Sequence, residues 1–439
     1  MRAIETIKNI WKIEDLRKRI ITTILLVLVY RVGSYVVLPG IDPANLDALR
    51  SQTSKGLMQL LDMFSGGAFS NASIFALGIM PYITASIVIQ LLGMVMPSFQ
   101  KLQREGESGR TKLNQYTRYL TVIILLMQGP AYLVNLKVQM GSALFPSGWL
   151  FIVSSTIVLA AGSMFIMWLG ERITDKGIGN GISFIILVGI IARLPLAFAA
   201  EFTSRLASKQ GGLVMFLIEI IFLLAVIAAA ILLVQGTRKV PVQYAKRIVG
   251  NKQYGGARQY IPLKVNTSGV IPVIFAQSLL QFPIIISSFA GYSGTGVWSE
   301  ILKYLNSGYW CKPSQIKYSI GLLVYIALII FFAYFYTSIT FNPLMIADNM
   351  KKQGGFIPGI RPGKPTSDYL NKVLNYIVLI GAIGLTIIAV LPYIFSGVFN
   401  ASVSFGGTSL IIIVSVVLET MKQVESQMLV RNYKGFLEK

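Results

Sequence analysis

Along the chain, apolar runs of about the 20 residues that a helix needs to cross a bilayer alternate with shorter polar stretches. They fall near 20–38, 72–96, 119–136, 149–169, 182–200, 213–234, 268–289, 317–339, 373–395 and 408–430. Ten such runs predict an all-α polytopic membrane protein. Two of them open alike, with Gly78-Ile79-Met80-Pro81-Tyr82-Ile83 and Gly269-Val270-Ile271-Pro272-Val273-Ile274, each after a long polar, Gly-containing segment. Proline inside a buried helix frees a carbonyl and kinks the axis, so both spans are expected beside other helices or a water-lined cavity. Five spans per half is an odd number, so the sixth span enters from the side opposite the first. The shared phrase sits in spans 2 and 7, equivalent members of the two halves. It predicts two inverted five-helix halves around a central pore, related by an axis in the membrane plane.

Composition agrees that lipid is the solvent: hydrophobic residues make up 54% and charged ones 13% of 439 residues, and mean hydropathy is +0.65. Orientation follows from Lys and Arg. With both termini and the even-to-odd connections on one side, that side holds 29 basic residues and the other 9, with Arg31 inside the first span. The positive-inside bias then places both termini in the cytoplasm. The run after Arg17-Lys18-Arg19 has no small-residue cleavage pattern and reads as a retained span. The predicted organisation is a basic N-terminal segment (1–19), an N-terminal half (20–200), an outer connection (201–212), a C-terminal half (213–430) and a cytoplasmic tail (431–439).

Candidate chemistry is sparse. There is no His and a single Cys, Cys311, which argues against metal clusters, His relays, intrachain disulfides and enzymatic catalysis; no cofactor is expected. Ionisable groups that stand out within the spans are Arg31, Glu219 and Glu419. Ion-coupled pumps need carboxylates at mid-membrane, whereas Glu219 lies near the outer end of span 6 and reads as a carboxylate snorkelling to the interface.

Two kinds of connection are unusual. Residues 57–70 have the apolar spacing of a short amphipathic helix, broken by Gly66-Gly67, and lead directly into span 2. The residues fit either a half-helix folded toward the bundle centre or one lying flat on the outer leaflet. Residues 235–267 carry seven basic and no acidic residues, and residues 340–371 hold Lys351, Lys352, Arg361 and Lys364 among many Gly and Pro. Topology and anionic lipid explain part of that charge; docking of a polyanion such as ribosomal RNA explains more. The outer loop 290–316 carries Trp298, Tyr309, Trp310 and Cys311, which fits interfacial anchoring or a lineage-specific contact.

Seven motifs occur in order: Asp62-Met63-Phe64-Ser65-Gly66-Gly67-Ala68, Ala76-Leu77-Gly78-Ile79-Met80-Pro81, Glu105-Gly106-Glu107-Ser108-Gly109-Arg110, Gly177-Ile178-Gly179-Asn180-Gly181, Gly269-Val270-Ile271-Pro272, Gly354-Gly355-Phe356-Ile357-Pro358-Gly359-Ile360-Arg361-Pro362-Gly363 and Gly406-Gly407-Thr408-Ser409. With them the chain resembles, over essentially its whole length, the SecY family of channel subunits of the bacterial protein-secretion translocon. The resemblance implies a protein-conducting channel in the cytoplasmic membrane, for secretion of unfolded preproteins and lateral insertion of membrane helices. It implies a plug on the segment Leu60, Leu61, Asp62, Met63, Phe64, Ser65, Gly66, Gly67 and Ala68. It also implies a pore ring of Ile79, Ile83, Ile182, Ile186, Ile274 and Ile412.

Both same-helix pairs of that ring are four residues apart and share a helix face, and an apolar constriction bars ions by dewetting. Ile124 and Ile329 are expected to face lipid. A lateral gate between spans 2–3 and 7–8 is implied, with Thr84, Gln128 and Asn266 as candidate polar contacts. The basic loops become docking surfaces, Arg361 for the SecA motor and Arg247, Lys252 and Arg258 for the ribosome; SecE and SecG are the implied membrane partners. Without a nucleotide-binding signature, energy must come from such a partner. The rival reading is a secondary transporter of a small solute built on an inverted repeat. Few intramembrane carboxylates and long cytoplasmic loops count against it.

Overall fold

A computed structural model describes residues 11, 13–46, 62, 64–140, 148–207, 212–244, 247–249, 252–254, 258–289, 296–399 and 407–437. A helix coincides with each of the ten apolar runs: α1 (Glu14–Gly33), α2 (Met80–Val95), α4 (Glu107–Met140), α5 (Trp149–Lys176), α6 (Gly181–Ala207), α7 (Gly212–Gln235), α8 (Ile271–Phe289), α10 (Ile320–Thr340), α12 (Lys364–Phe399) and α13 (Gly407–Leu437). Among the described residues, three shorter helices join them: α3 (Pro97–Arg104), α9 (Val297–Leu305) and α11 (Pro343–Lys352). Among the described residues six helices are long and apolar enough to cross a membrane unaided, and a seventh span counts if α2 and α3, which meet at 103°, are taken together.

The repeated phrase has a structural counterpart that corrects the expected kink. Pro81 and Pro272 stand at the second position of α2 and α8, in the first turn, where a missing N–H costs no hydrogen bond. What the phrase encodes is the turn before the helix: Gly78 and Gly269 adopt φ of 58° and 63°, the left-handed region that glycine enters without a Cβ clash. Span 2 is accordingly helical only from Met80. Residues 65–79 form successive turns, stitched to the end of span 1 by Leu38 N–H donating to Ala72 O (2.9 Å) and Ile74 N–H donating to Val36 O (2.9 Å).

The chain forms two compact units. The first comprises residues 1–208, 281–308 and 416–439; the second comprises 209–280 and 309–415. In the first, Leu38, Ile41, Phe69, Ala72, Tyr132, Leu133, Leu136 and Leu159 pack into one core. Helix α5 approaches the 65–79 segment so closely that a Cβ on Gly162 would lie 2.1 Å from the Ile74 carbonyl oxygen. Gly162→Val is therefore expected to cost about 1–3 kcal/mol through overpacking, read as a lower thermal midpoint in detergent.

In the second unit the basic connection 235–267 folds as a β-hairpin. Strand β1 (Thr237–Tyr244) pairs antiparallel with β4 (Arg258–Lys264), from Thr237 opposite Lys264 to Gln243 opposite Arg258, and β2 (Arg247–Val249) pairs with β3 (Lys252–Tyr254). The far edge of β1 takes β5 (Gly355–Phe356) from the other basic connection. Val240, Val242 and Leu263 from the hairpin bury with Met350, Ile357, Leu370, Val373 and Ile377 in a single core.

Three sequence expectations change. Glu219 is buried, 6% exposed, instead of snorkelling. Ile329 is 0% exposed, so it faces protein and not lipid. In the outer loop, Trp310 is buried against Tyr325 and Tyr393, a core role, while Trp298 is exposed. Cys311 is a free thiol; burial pushes its pKa up, which lowers its reactivity.

Candidate functional site

Leu60, Leu61 and Met63 of the expected plug lie outside the described residues. Asp62 and Phe64–Ser70 form a compact loop, buried at each of these positions. Its own polar groups close it: Gly67 N–H donates to Asp62 O (2.8 Å), Ser70 N–H to an Asp62 carboxylate oxygen (2.8 Å), Ser65 Oγ to Asp62 O (3.0 Å) and Phe69 N–H to Ser65 Oγ (3.1 Å). Gly66 and Gly67 have φ of 64° and 92°, so the tight turn needs glycine at both places.

Four side chains from three helices hold this loop. From α1, Tyr30 Oη donates to Ser65 O (3.0 Å) and Arg31 Nη1 to Gly66 O (2.8 Å). From α4, Tyr132 Oη donates to Phe69 O (2.8 Å). From α6, Arg193 forms a salt bridge with Asp62 and donates to Ser70 Oγ. Burial of these polar groups is tolerated because each meets a partner. Sequence reasoning missed Arg193 and grouped it with the outer-side basic residues, although it is the one charge in the run 182–200; a lone charge within a span was the available signal.

The loop backbone also touches the neighbours of the implied ring residues. A Cβ on Gly78 would lie 3.4 Å from Ser65, and one on Gly66 2.9 Å from the Cα of Gly189. Gly78 precedes Ile79, and Gly189 follows Ile186 by about one helical turn. Ile79 and Ile186 are buried; Ile83 and Ile182 are partly buried, Ile182 beside Gly170 of α5. In the second unit Ile274 on α8 is partly buried and Ile412 on α13 is 1% exposed.

Of the gate candidates, Thr84 donates to the Met80 carbonyl one turn back (3.1 Å), Gln128 is partly buried on α4, and Asn266, in the turn before α8, is buried with neither side-chain polar atom hydrogen-bonded among the described residues.

The basic residues occupy a built platform. Arg247 opens β2, Lys252 opens β3 and Arg258 opens β4. Arg361 is exposed, yet its backbone is fixed: Ile357, four residues before it, is 3% exposed in the core beneath, Ile360 packs on that core, and Thr366 Oγ1 donates to the Arg361 carbonyl (2.8 Å). Arg238, Lys239, Lys264, Lys351, Lys352 and Lys364 are exposed around it in the same unit. No group of His, Cys, Asp and Glu among the described residues is arranged to hold a metal ion.

Comparison with known proteins identifies the family and the fold. The SecY family model matches residues 73–421. A protein translocase subunit SecY of Streptomyces galbus is 45% identical over 437 residues, covering 96% of this chain and 97% of that protein. Among solved structures, a SecY whose plug domain is described as stabilizing the closed state of the translocation channel and maintaining a membrane seal matches with a TM-score of 0.66 at 19% identity, covering 93% of this chain and 92% of that one. Sec61 in a canine ribosome-channel complex matches with a TM-score of 0.62 at 18% identity, with the same coverage. The likeness to these structures carries the fold, a ten-helix polytopic channel architecture, and the sequence match carries the kinship: the chain belongs to the SecY family.

Proposed function

We propose that this chain is the channel subunit of a protein translocase of the cytoplasmic membrane, passing unfolded polypeptides across the bilayer and releasing apolar helices sideways into lipid. The observation that carries the reading is the buried loop 62–70, whose backbone abuts the residues next to Ile79 and Ile186. A removable stopper beside a ring of isoleucines suits a seal that must open for any sequence. Branched apolar side chains exclude water without chemical preference, whereas a small-solute site needs convergent polar groups. The transporter reading is not favoured, since the chain's relatives are translocase subunits.

In this reading Ile79, Ile83, Ile182, Ile186, Ile274 and Ile412 form the constriction, residues 60–68 the plug, and Thr84, Gln128 and Asn266 the polar contacts of a lateral gate. Both termini are cytoplasmic, as the basic asymmetry requires. The exposed cations of the hairpin and of the Arg361 turn receive the partners: the ribosome at Arg247, Lys252 and Arg258, the SecA motor at Arg361. The Sec61 relative that sits in a ribosome-channel complex supports the first of these. SecE and SecG complete the membrane complex.

Reconstitution with those small subunits in liposomes tests the function: a secretory precursor is expected to enter the vesicles when motor and ATP are added. Solute uptake driven by an ion gradient, with no precursor import, would refute it. Deleting residues 60–70 is expected to leave transport intact while relaxing selectivity, because less free energy then separates closed from open states. Export of precursors with defective signals is the assay, and no gain there would mean that the loop is not a plug.

A further inference from the structure

We infer that Arg193 is a specificity-determining residue of the channel, a latch on the 62–70 loop that sets how strong a signal sequence must be to open it. The inference rests on the channel reading above. Three of the four side chains holding the loop, Tyr30, Arg31 and Tyr132, reach backbone carbonyls, which a loop of almost any sequence would offer. Arg193 alone reaches side chains. It binds both ends of the loop at once, Asp62 through the salt bridge and Ser70 through its hydroxyl, and Ser70 in turn donates its N–H to Asp62 (2.8 Å). The loop bends around the guanidinium so closely that a Cβ on Gly67 would lie 3.0 Å from Arg193 Nε.

The Asp62 side chain is 5% exposed and that of Arg193 35%. Moving the loop away separates a buried acid from a partly buried base, and Arg193 remains as a charge in an apolar span. Breaking such a pair is costly because the charge left behind has lost its partner. A signal sequence must supply that free energy in differential binding to the open state. The latch depends on the identities at 62 and 193, so it adjusts the threshold without altering the glycine turn or the carbonyl anchors.

The test uses Arg193→Gln, Asp62→Asn and the double variant in the complete complex. A merely structural pair would lower protein level and the transport of ordinary precursors together. A latch leaves both near wild type and raises export of a precursor with a defective signal, roughly tenfold for the loss of about 1.4 kcal/mol. The double variant is expected to raise export of the defective precursor less than either single, since it leaves no unpaired charge beside the loop. Arg193→Lys, which keeps the charge, should lie between.

An independent readout avoids transport altogether. In a Cys311→Ser background, a cysteine replacing Ala68, which is 0% exposed, is expected to react with a water-soluble thiol reagent roughly tenfold faster once Arg193 is Gln. If wild type moves no precursor while labelling still accelerates, the channel reading fails, and with it the signal threshold, although Arg193 still holds the loop. Normal levels of Arg193→Gln with unchanged labelling and unchanged export of the defective precursor would overturn the latch.

Discussion

Replacing Ile83 and Ile274 together by asparagine is expected to make the resting channel leak ions. The ring proposed here consists of branched apolar side chains, so its share of the barrier, beside that of the plug, is the free energy of wetting a narrow apolar throat. An amide at two of six positions gives water a hydrogen-bonding foothold. Losing about 1.4 kcal/mol of that barrier raises conductance about tenfold. Planar-bilayer recordings measure it directly. The control is the same exchange at Leu323, which is 65% exposed on α10 and faces outward from its unit; it should leave conductance at the wild-type level. Ile329 is unsuitable as a control, because it is fully buried and its loss would damage packing. Unchanged conductance in the double variant would remove Ile83 and Ile274 from the seal.

Arg361→Glu is expected to abolish most motor-driven transport without disturbing the fold. The side chain is exposed, while the turn carrying it is held from below by Ile357 and Ile360. Charge reversal therefore alters the surface and not the core. If Arg361 meets an acidic group in the docked motor, losing that contact and adding repulsion costs about 2 kcal/mol or more, on the order of a thirtyfold fall in transport. Insertion should be normal, since one of the 29 basic residues on the side read as cytoplasmic barely changes the orientation bias. Reversal at Arg247 and Arg258 should instead weaken ribosome co-sedimentation, with wild-type binding falling steeply as salt rises. Wild-type transport by Arg361→Glu at normal protein level would disprove the motor-docking role.

The sequence made the helices legible because each apolar run is long, and its ends illegible because polarity changes gradually there. Span 3 reads as 119–136 and folds as Glu107–Met140, since the polar turns before it remain helical in water. The Gly-x-x-Pro phrase was visible as a repeat, but its meaning lay in the φ of Gly78 and Gly269, which a residue list does not contain. The hairpin was read only as charge, although the alternation of buried Val240 and Val242 with exposed Lys239 and Pro241 is the period-two signature of a strand. β5 had no readable signal, being two residues long and defined by its pairing with β1. Arg193 was countable but unplaced: its role exists only because a loop more than a hundred residues earlier folds back upon it.

That separation gives the seal a timetable. Tyr30 and Arg31 lie 35 residues before the carbonyls they bind, so two anchors are already made when the loop emerges; Tyr132 follows its carbonyl by 63 residues, and Arg193 follows Ser70 by 123. At about 5–20 residues per second, a new chain waits roughly 6–25 s between making the loop and making the residue that clamps both its ends. Until the fifth span is in place, each newborn molecule can hold this loop by its backbone carbonyls alone.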